Sequence, residues 1–479
     1  MVSAFVPTLV RWLSRRALRW LYREVHFVGA ERIPATGAVL LYGNHPNDLP
    51  DVLSGFFATS RPVRYIATIS ATVLPMAEAT YRGLGVIPIM RVRDVRKMKA
   101  RGVDGGTVNR DANHALSQAF ANGDLVGVFP EGGVMDLPHL GTMRAGVAKM
   151  ALECLDNGAK NEINIIPFGV QYESPHQLRS DVIIEVGTPM SLHDWVAGNP
   201  EPSAHHLATR MSHELQAVTR NSSDWTAAEH RDRLIAAVAA VNATTAESLF
   251  STAARARAQL VAQAVFVAGT SAGTAPAEAV ETAEAADTAA IAKALSVLTD
   301  SVHRVGGIAT SARDTARVLD ASSLANPQAQ WPSLARMSIT AVPAAIGTIL
   351  HAPLFAIVMA TSRRLAADRS ELMAKAIVPG LHLIFLGYLI LGGLFVLGFR
   401  TANWSAWWAL PLTMLLPQLG DMSVAWRDAL SAMRLRARVR RWSDAEIAMV
   451  HQAAEQLRTC WSHQHAADSS FSHLSSFSL

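Results

Sequence analysis

The sequence predicts an α/β domain with a mainly parallel sheet flanked by helices, followed by an Ala-rich helical region and a C-terminal membrane region. Three observations predict it. From about 26 to 200, short apolar runs alternate with helical stretches, separated by Gly, Pro and Asn. From 201 to 335 the text is Ala-rich, with few breakers. From 336 to 425 come long stretches without Asp, Glu, Lys or Arg. The chain has 479 residues, enough for two or three domains.

Composition excludes several classes. Half the residues are apolar and 17% are charged, so the chain is neither disordered nor collagenous. Its two cysteines, Cys154 and Cys460, exclude a disulfide scaffold and a Cys-based zinc site. A net charge of +4 is too small to argue for nucleic acid, and none is expected as a partner.

In chain order, residues 1–25 read as an amphipathic basic interfacial helix. Arg11, Arg15, Arg19 and Arg23 recur every four residues, with Leu9, Trp12, Leu13, Leu18, Trp20 and Leu21 as apolar surface. A helix packed on the domain would share this spacing. No uninterrupted apolar run marks a secretory signal peptide.

The domain at 26–200 holds six apolar runs that predict buried strands: 38–44, 63–68, 85–90, 125–130, 163–170 and 182–187. Helices are predicted over Ala112–Ala121 and Thr142–Leu155. The region 201–335 predicts helices at 203–220, 226–241 and 244–268, with GTSAGTAPA (269–277) as a linker.

In the membrane region, Ile377–Phe399 has 23 residues without Asp, Glu, Lys or Arg, long enough to span a bilayer core of about 30 Å. Trp404–Gly420 adds 17 more, with Trp404, Trp407 and Trp408 at one end. Both are expected to span. Ser338–Thr361 also lacks charge but carries Pro343 and Pro353, so it is re-entrant or spanning. Arg363, Arg364, Arg369 and Lys375 lie in the loop 362–376. Arg427, Arg434, Arg436, Arg438, Arg440 and Arg441 open the basic helical tail at 426–465, and residues 466–479 read as disordered. A broken 338–361 followed by a two-span hairpin puts every basic segment on one side, as the positive-inside rule prefers. The expected location is the inner membrane of a bacterial cell, with the active site on the cytoplasmic face. Membrane lipids are expected partners.

Four blocks carry chemistry. GNHPNDLPD (43–51) follows a strand, where α/β proteins place their sites. His45 is a candidate general base, and Asp48 and Asp51 are the nearby carboxylates that could hold its ring. GVIPIMRVRD (85–94) ends a strand with Arg91 and Arg93, whose guanidinium forks suit a phosphate. VFPEGGVMD (128–136) ends another with Glu131, Gly132 and Gly133; the glycines let backbone N–H groups approach a ligand. IIPFGVQY (165–172) puts Pro167 inside an apolar strand, which predicts an edge or a bulge.

In this order and spacing, the blocks NHPNDLPD, GVIPIMR, FPEGG and IIPFGV resemble the PlsC-type glycerolipid acyltransferase family over roughly residues 30–190. The stretch 129–152 looks most like its glycerol-3-phosphate acyltransferase branch. The usual His-x4-Asp spacing would end on Pro50, so the relay role passes to Asp51, with Asp48 as the alternative.

The resemblance implies direct transfer of a fatty acyl group from acyl-CoA or acyl carrier protein to glycerol 3-phosphate, without a cofactor. The implied runner-up acceptor is lysophosphatidate or another lysolipid. His45 would be the base and Asp51 its support. Asn44, Arg91, Arg93, the Glu131–Gly132–Gly133 turn and Pro167 would bind substrate, the glycine backbone being a candidate oxyanion site. A rival of another class is a non-catalytic lipid-binding protein, against which the intact His45, Asp51, Arg91 and Glu131 argue.

Two other matches are set aside. GTSAG (269–273) fits a nucleophile-elbow pattern at Ser271, but its linker context lacks the required strand and helix. His205–His206 reads as helix surface.

Overall fold

A computed structural model describes residues 5–69, 82–156, 161–173, 179–243, 278–305, 307, 311–322, 331–365 and 372–465. Contacts divide the chain into two compact units, Met1–Trp225 with Pro353–Gly387, and Thr226–Ala352 with Tyr388–Leu479.

The first unit is built on an eight-stranded sheet. Its strands are β1 (Val25–Val28), β2 (Ala38–Gly43), β3 (Val63–Thr68), β4 (Ile87–Ile89), β5 (Leu125–Val128), β6 (Ile163–Tyr172), β7 (Val182–Val186) and β8 (Met190–Ser191). The order is β1-β7-β6-β2-β5-β3-β4, with β8 also pairing β6. Only β6 with β7 and β6 with β8 pair antiparallel; the other pairs are parallel. The six expected strands are present. The two extra ones, β1 and β8, are short and only half-buried, so they leave little apolar pattern to read.

Pro167 corrects an expectation. Its strand β6 lies inside the sheet between β2 and β7, not at an edge. Pro167 pairs with Tyr42 on β2. On its other side β8 pairs only at Asn164–Ile165 and β7 from Phe168 onward. The missing N–H therefore falls in the gap between two partners, where no ladder bond is lost.

Helices of this unit, in chain order, are α1 (Phe5–Leu21), α2 (Leu49–Ala58), α3 (Val95–Lys99), α4 (Gly105–Ala121), α5 (Gly146–Asp156), α6 (Leu192–Ala197) and α7 (Ala204–Ala217). Strand residues alternate between two apolar clusters. Leu40, Tyr42, Val126 and Ile165 face one cluster with Leu116 and Phe120 of α4, Ala151 of α5, and Leu207 and Met211 of α7. Val39, Leu41, Leu125, Ile166 and Ile184 face the other, with Leu18 and Leu21 of α1 and Phe56 of α2. Each fully buried Leu or Phe contributes about 1.5–3 kcal/mol. Because α7 packs into this core, the domain runs past residue 200.

Helix α4 starts seven residues before the expected Ala112, because the Asp104 carboxylate caps it, accepting the Thr107 N–H at 2.8 Å. Helix α5 starts at Gly146 rather than Thr142; just before it, the Arg144 N–H donates to the Pro130 carbonyl at 3.1 Å.

One face of the basic helix α1 is committed to the domain. Leu18, Leu21 and the following Tyr22 are buried, and the Arg15 guanidinium lies 4.9 Å from the centre of the Phe57 ring. Trp12 remains half-exposed.

The second unit holds α8 (Trp225–Asn242), α9 (Glu278–Arg304), α10 (Ala312–Ser322), α13 (Ala409–Val439) and α14 (Asp444–His465). Val238, Leu295, Leu298, Val450, Leu457 and Trp461 form its core. The arginines of α13 are partly bound within it: Arg436 pairs with Asp320 at 3.2 Å, and Arg438 donates to the Val305 carbonyl at 2.7 Å. Helices α11 (Trp331–Leu365) and α12 (Leu372–Thr401) have residues in both units.

Among the described residues, two helical segments are long and apolar enough to cross a membrane, Met337–Leu365 and His382–Thr401. Ile339, Val342, Ile349, Phe385, Leu389 and Leu397 on them are exposed. The segment 338–361 is not broken: α11 runs through Pro343 and Pro353 as one helix. Residues 409–420 are instead the first turns of α13, which continues past Asp421 to Val439. The expected helix 244–268, the 269–277 linker with Ser271, Arg369 and the tail 466–479 lie outside the described residues.

Candidate active site

The site forms where β2, β5 and β6 end. After β2 the chain passes Asn44, whose side-chain amide pairs with the Val170 backbone on β6, accepting at 2.7 Å and donating at 3.0 Å. Asn44 thus prolongs the sheet by one position and aims the following residue. Both the oxygen and the nitrogen of its side-chain amide are engaged in this anchoring.

His45 comes next. Its Nδ1 meets Asp51 Oδ2 at 2.9 Å. The ring lies against Phe129, with centroids 4.2 Å apart and planes 11° from parallel. Its backbone is held at both ends: the N–H donates to Glu131 Oε1 at 2.9 Å, and the carbonyl accepts the Met135 N–H at 2.9 Å. Bonded to Asp51 through Nδ1–H, the ring keeps Nε2 as an acceptor.

Of the two candidate carboxylates, Asp51 meets the ring. It is wholly buried, and Oδ2 also accepts the Asn47 N–H at 2.7 Å. Oδ1 accepts the Tyr172 hydroxyl at 2.5 Å. Asn47 is buried too and donates through Nδ2 to the Tyr22 hydroxyl at 2.8 Å. Asp48 stands at the start of α2 with φ 54° and ψ −121°, a strained conformation for a residue with a Cβ. The extra residue in the His–Asp spacing is absorbed by this turn, whose closing bond runs from Asp51 N–H to the Asp48 carbonyl at 3.1 Å.

The Phe129–Pro130–Glu131–Gly132 segment is a turn closed by the Gly132 N–H to the Phe129 carbonyl at 3.2 Å. Pro130 presets the second position and Gly132 takes φ 74°. A Cβ on Gly132 would come within 2.8 Å of the Arg144 Nε. The turn uses the Gly132 N–H, which removes it as a free oxyanion donor. Glu131 is buried, and its second oxygen accepts the Gly141 N–H at 3.0 Å. Its carboxylate ties two loops together. Burial pushes its pKa up, against the lowering effect of the two backbone bonds.

Three guanidinium groups gather at this turn. Arg91 donates from NH1 to the Gly132 carbonyl at 3.0 Å and from Nε to Asp94 Oδ2 at 2.8 Å. Arg144 donates from Nε to the Glu131 carbonyl at 3.2 Å. Arg93 lies close enough to Gly133 that a Cβ there would sit 3.2 Å from its nitrogens. Burial alone would raise the Asp94 carboxyl; bonds from Arg91 and Thr68, with the charges of Arg91 and Arg93, hold it below its ordinary value. Arg144 was not singled out by sequence, although a basic residue after FPEGG in a cavity-lining loop is a usable signal.

His45, Arg91, Arg93 and Arg144 all line one cavity of about 960 Å³. Its other walls are mainly apolar, including Val52, Phe56, Leu84, Ile89, Val147 and Met150. Asp48, Gly132 and Gly133 line it as well. Pro167 does not: it is buried in β6 against Gly187. His205 and His206 are exposed on α7. One cavity therefore joins a carboxylate-held imidazole, a cationic end and an apolar wall.

Residues 24–171 match the family described as Acyltransferase. The chain carries an acyltransferase domain. Glycerol-3-phosphate O-acyltransferase 1 of Saccharomyces cerevisiae is 35% identical to it over 118 residues, which cover 23% of this chain and 16% of that protein. Glycerol-3-phosphate O-acyltransferase 2 of the same yeast is 31% identical over 104 residues, 21% of this chain and 14% of that protein. The chain thus spans less than a fifth of the length of either relative. Among solved structures, the 1-acyl-sn-glycerophosphate acyltransferase PlsC of Thermotoga maritima covers 44% of this chain and 80% of its own, with 18% identity and a TM-score of 0.32.

Proposed function

We propose that the chain is a membrane-bound O-acyltransferase. It moves a fatty acyl group from an acyl thioester, acyl-CoA or acyl carrier protein, to glycerol 3-phosphate. The observation that carries this reading is the His45–Asp51 pair at 2.9 Å on a cavity that is cationic in one part and apolar in another. The names of the yeast relatives favour glycerol 3-phosphate as acceptor.

In this reading His45 Nε2 takes the proton from the acceptor hydroxyl while Asp51 fixes the tautomer and supports the imidazolium. The oxygen attacks the thioester carbonyl, forming a tetrahedral intermediate. Its collapse breaks the C–S bond, and the departing thiolate takes the proton back from His45. Arg91, Arg93 and Arg144 receive the acceptor phosphate. The apolar wall receives the acyl chain. With the Gly132 N–H engaged in its turn, the Gly133 N–H remains the backbone candidate for the oxyanion. The apolar helices α11 and α12 hold the chain in the bilayer, where acyl product is released.

The test is an acceptor profile of the purified chain in lipid nanodiscs, scored by product. Glycerol 3-phosphate is expected to give the monoacylated phosphate at the highest kcat/KM. A clear preference for lysophosphatidate would move the assignment to the second acylation. Thioester turnover that no acceptor accelerates would refute acyl transfer.

A further inference from the structure

Asp51 sits in a pocket closed to water, so every lone pair it turns toward protein needs a donor. On Oδ2 the donors are His45 Nδ1 and the Asn47 N–H. On Oδ1 the partner is Tyr172, whose hydroxyl donates at 2.5 Å from the end of β6, 121 residues further along the chain. The Tyr172 and Tyr22 rings lie 5.3 Å apart, and Tyr22 accepts from Asn47. These two phenols lie on either side of the 24–171 stretch that matches the family. We propose that Tyr172 is a positioning residue, whose hydroxyl holds the Asp51 carboxylate turned toward His45. This proposal rests on His45 acting as the general base.

A carboxylate with one oxygen unpaired in a buried site either takes up a proton or rotates, and both loosen its grip on His45. Tyr172 also cannot compete for the negative charge. Burial, then the charge of Asp51, pushes its phenol well above the ordinary tyrosine range, so it acts as a donor at working pH. The other titratable groups facing Asp51 are His45, Tyr22, Tyr65 and Glu131. Tyr22 and Tyr65 are held neutral by burial. Glu131 is the remaining acid, and it is held by two backbone N–H groups. The donor on Oδ1 favours the anionic form of the His45–Asp51 pair. Its removal makes that pair hold a proton more tightly, and the acidic limb of the rate profile moves to higher pH.

The experiment measures kcat, KM and the pH dependence of acyl transfer in nanodiscs for Tyr172→Phe and for a protein carrying a difluorinated tyrosine at 172. Tyr172→Phe is expected to lower kcat about ten- to a hundred-fold, the range for a hydrogen bond to a charged group. Both KM values stay unchanged, and the acidic limb moves up by up to about one pH unit. The fluorinated phenol is a stronger donor of the same shape, so it moves the limb down and decides the matter if Tyr172→Phe does not fold. A limb that stays in place in both proteins overturns the proposal, as does a purely KM-borne loss. His45→Ala is run alongside. If it turns over like wild type, the reading of His45 as base has failed and the positioning role goes with it. If it is inactive while Tyr172→Phe matches wild type, only the positioning role fails.

Discussion

Glu131 accepts the backbone N–H of His45 at 2.9 Å, although 86 residues separate them. This bond ties the NHPN loop to the FPEGG turn, and the second oxygen of Glu131 ties both to Gly141. The placement of the NHPN loop, the FPEGG turn and the Gly141 loop therefore depends on one buried carboxylate.

Glu131→Gln keeps the size but turns one acceptor into a donor facing an N–H group. It is expected to lose about 1–3 kcal/mol of stability. Its pH dependence has a defined sign. Burial raises the folded pKa of Glu131 above 4.5. The group's stabilising contribution is present below that value and is lost as pH rises through the raised folded pKa. Wild type should therefore lose part of its advantage over Glu131→Gln as pH rises from about 4.5 toward that higher pKa. Melting temperatures of both proteins across that window measure it.

Arg91 uses Nε for Asp94 and NH1 for the Gly132 carbonyl, a fork that an ammonium group cannot reproduce. Arg91→Lys and Arg91→Ala should both raise KM for glycerol 3-phosphate, by about ten-fold or more, with a smaller effect on the thioester KM. Acceptor saturation curves check this. Unchanged acceptor saturation in both variants contradicts a phosphate role for Arg91.

Gly132 adopts φ 74° and packs under the Arg144 side chain. Gly132→Ala adds backbone strain of about 1–2 kcal/mol and a methyl group 2.8 Å from Arg144 Nε. Lower melting temperature together with weaker acceptor binding is expected, because the turn whose carbonyls hold Arg91 and Arg144 shifts.

Gly347 of α11 lies so close to α13 that a Cβ would approach the Leu419 carbonyl to 2.0 Å. Beside it Thr348 and Ser423 hydroxyls meet at 2.7 Å. Small residues at such crossings let apolar helices pack in lipid. Gly347→Leu should therefore lower the thermal midpoint in detergent while leaving the kcat of folded protein near wild type.

Much of the fold was legible because buried strands leave continuous apolar runs. The runs at 63–68 and 182–187 differ from their strands by at most one residue. The site was legible as residue types at strand ends. What those side chains face was not. Glu131 reads as a ligand contact in FPEGG, yet it turns inward to satisfy two backbone N–H groups. Asp48 and Asp51 differ only by three positions, and the strained turn at Asp48 selects between them. Tyr172 is the last residue of the IIPFGVQY block, chosen there for its proline, and only the sheet brings the phenol to Asp51. Pro167 looks like an edge because a single strand does not reveal that its neighbours leave a gap there. The membrane hairpin was placed by counting uncharged residues, which cannot show that α13 carries 409–420 onward into a polar helix.

In the proposed function His45 removes the acceptor proton with Asp51 behind it. The most direct measurement is kcat for acyl transfer to glycerol 3-phosphate by His45→Ala protein whose melting temperature matches wild type. The expected result is a loss of about a hundred- to ten-thousand-fold. A kcat within a few-fold of wild type would contradict it.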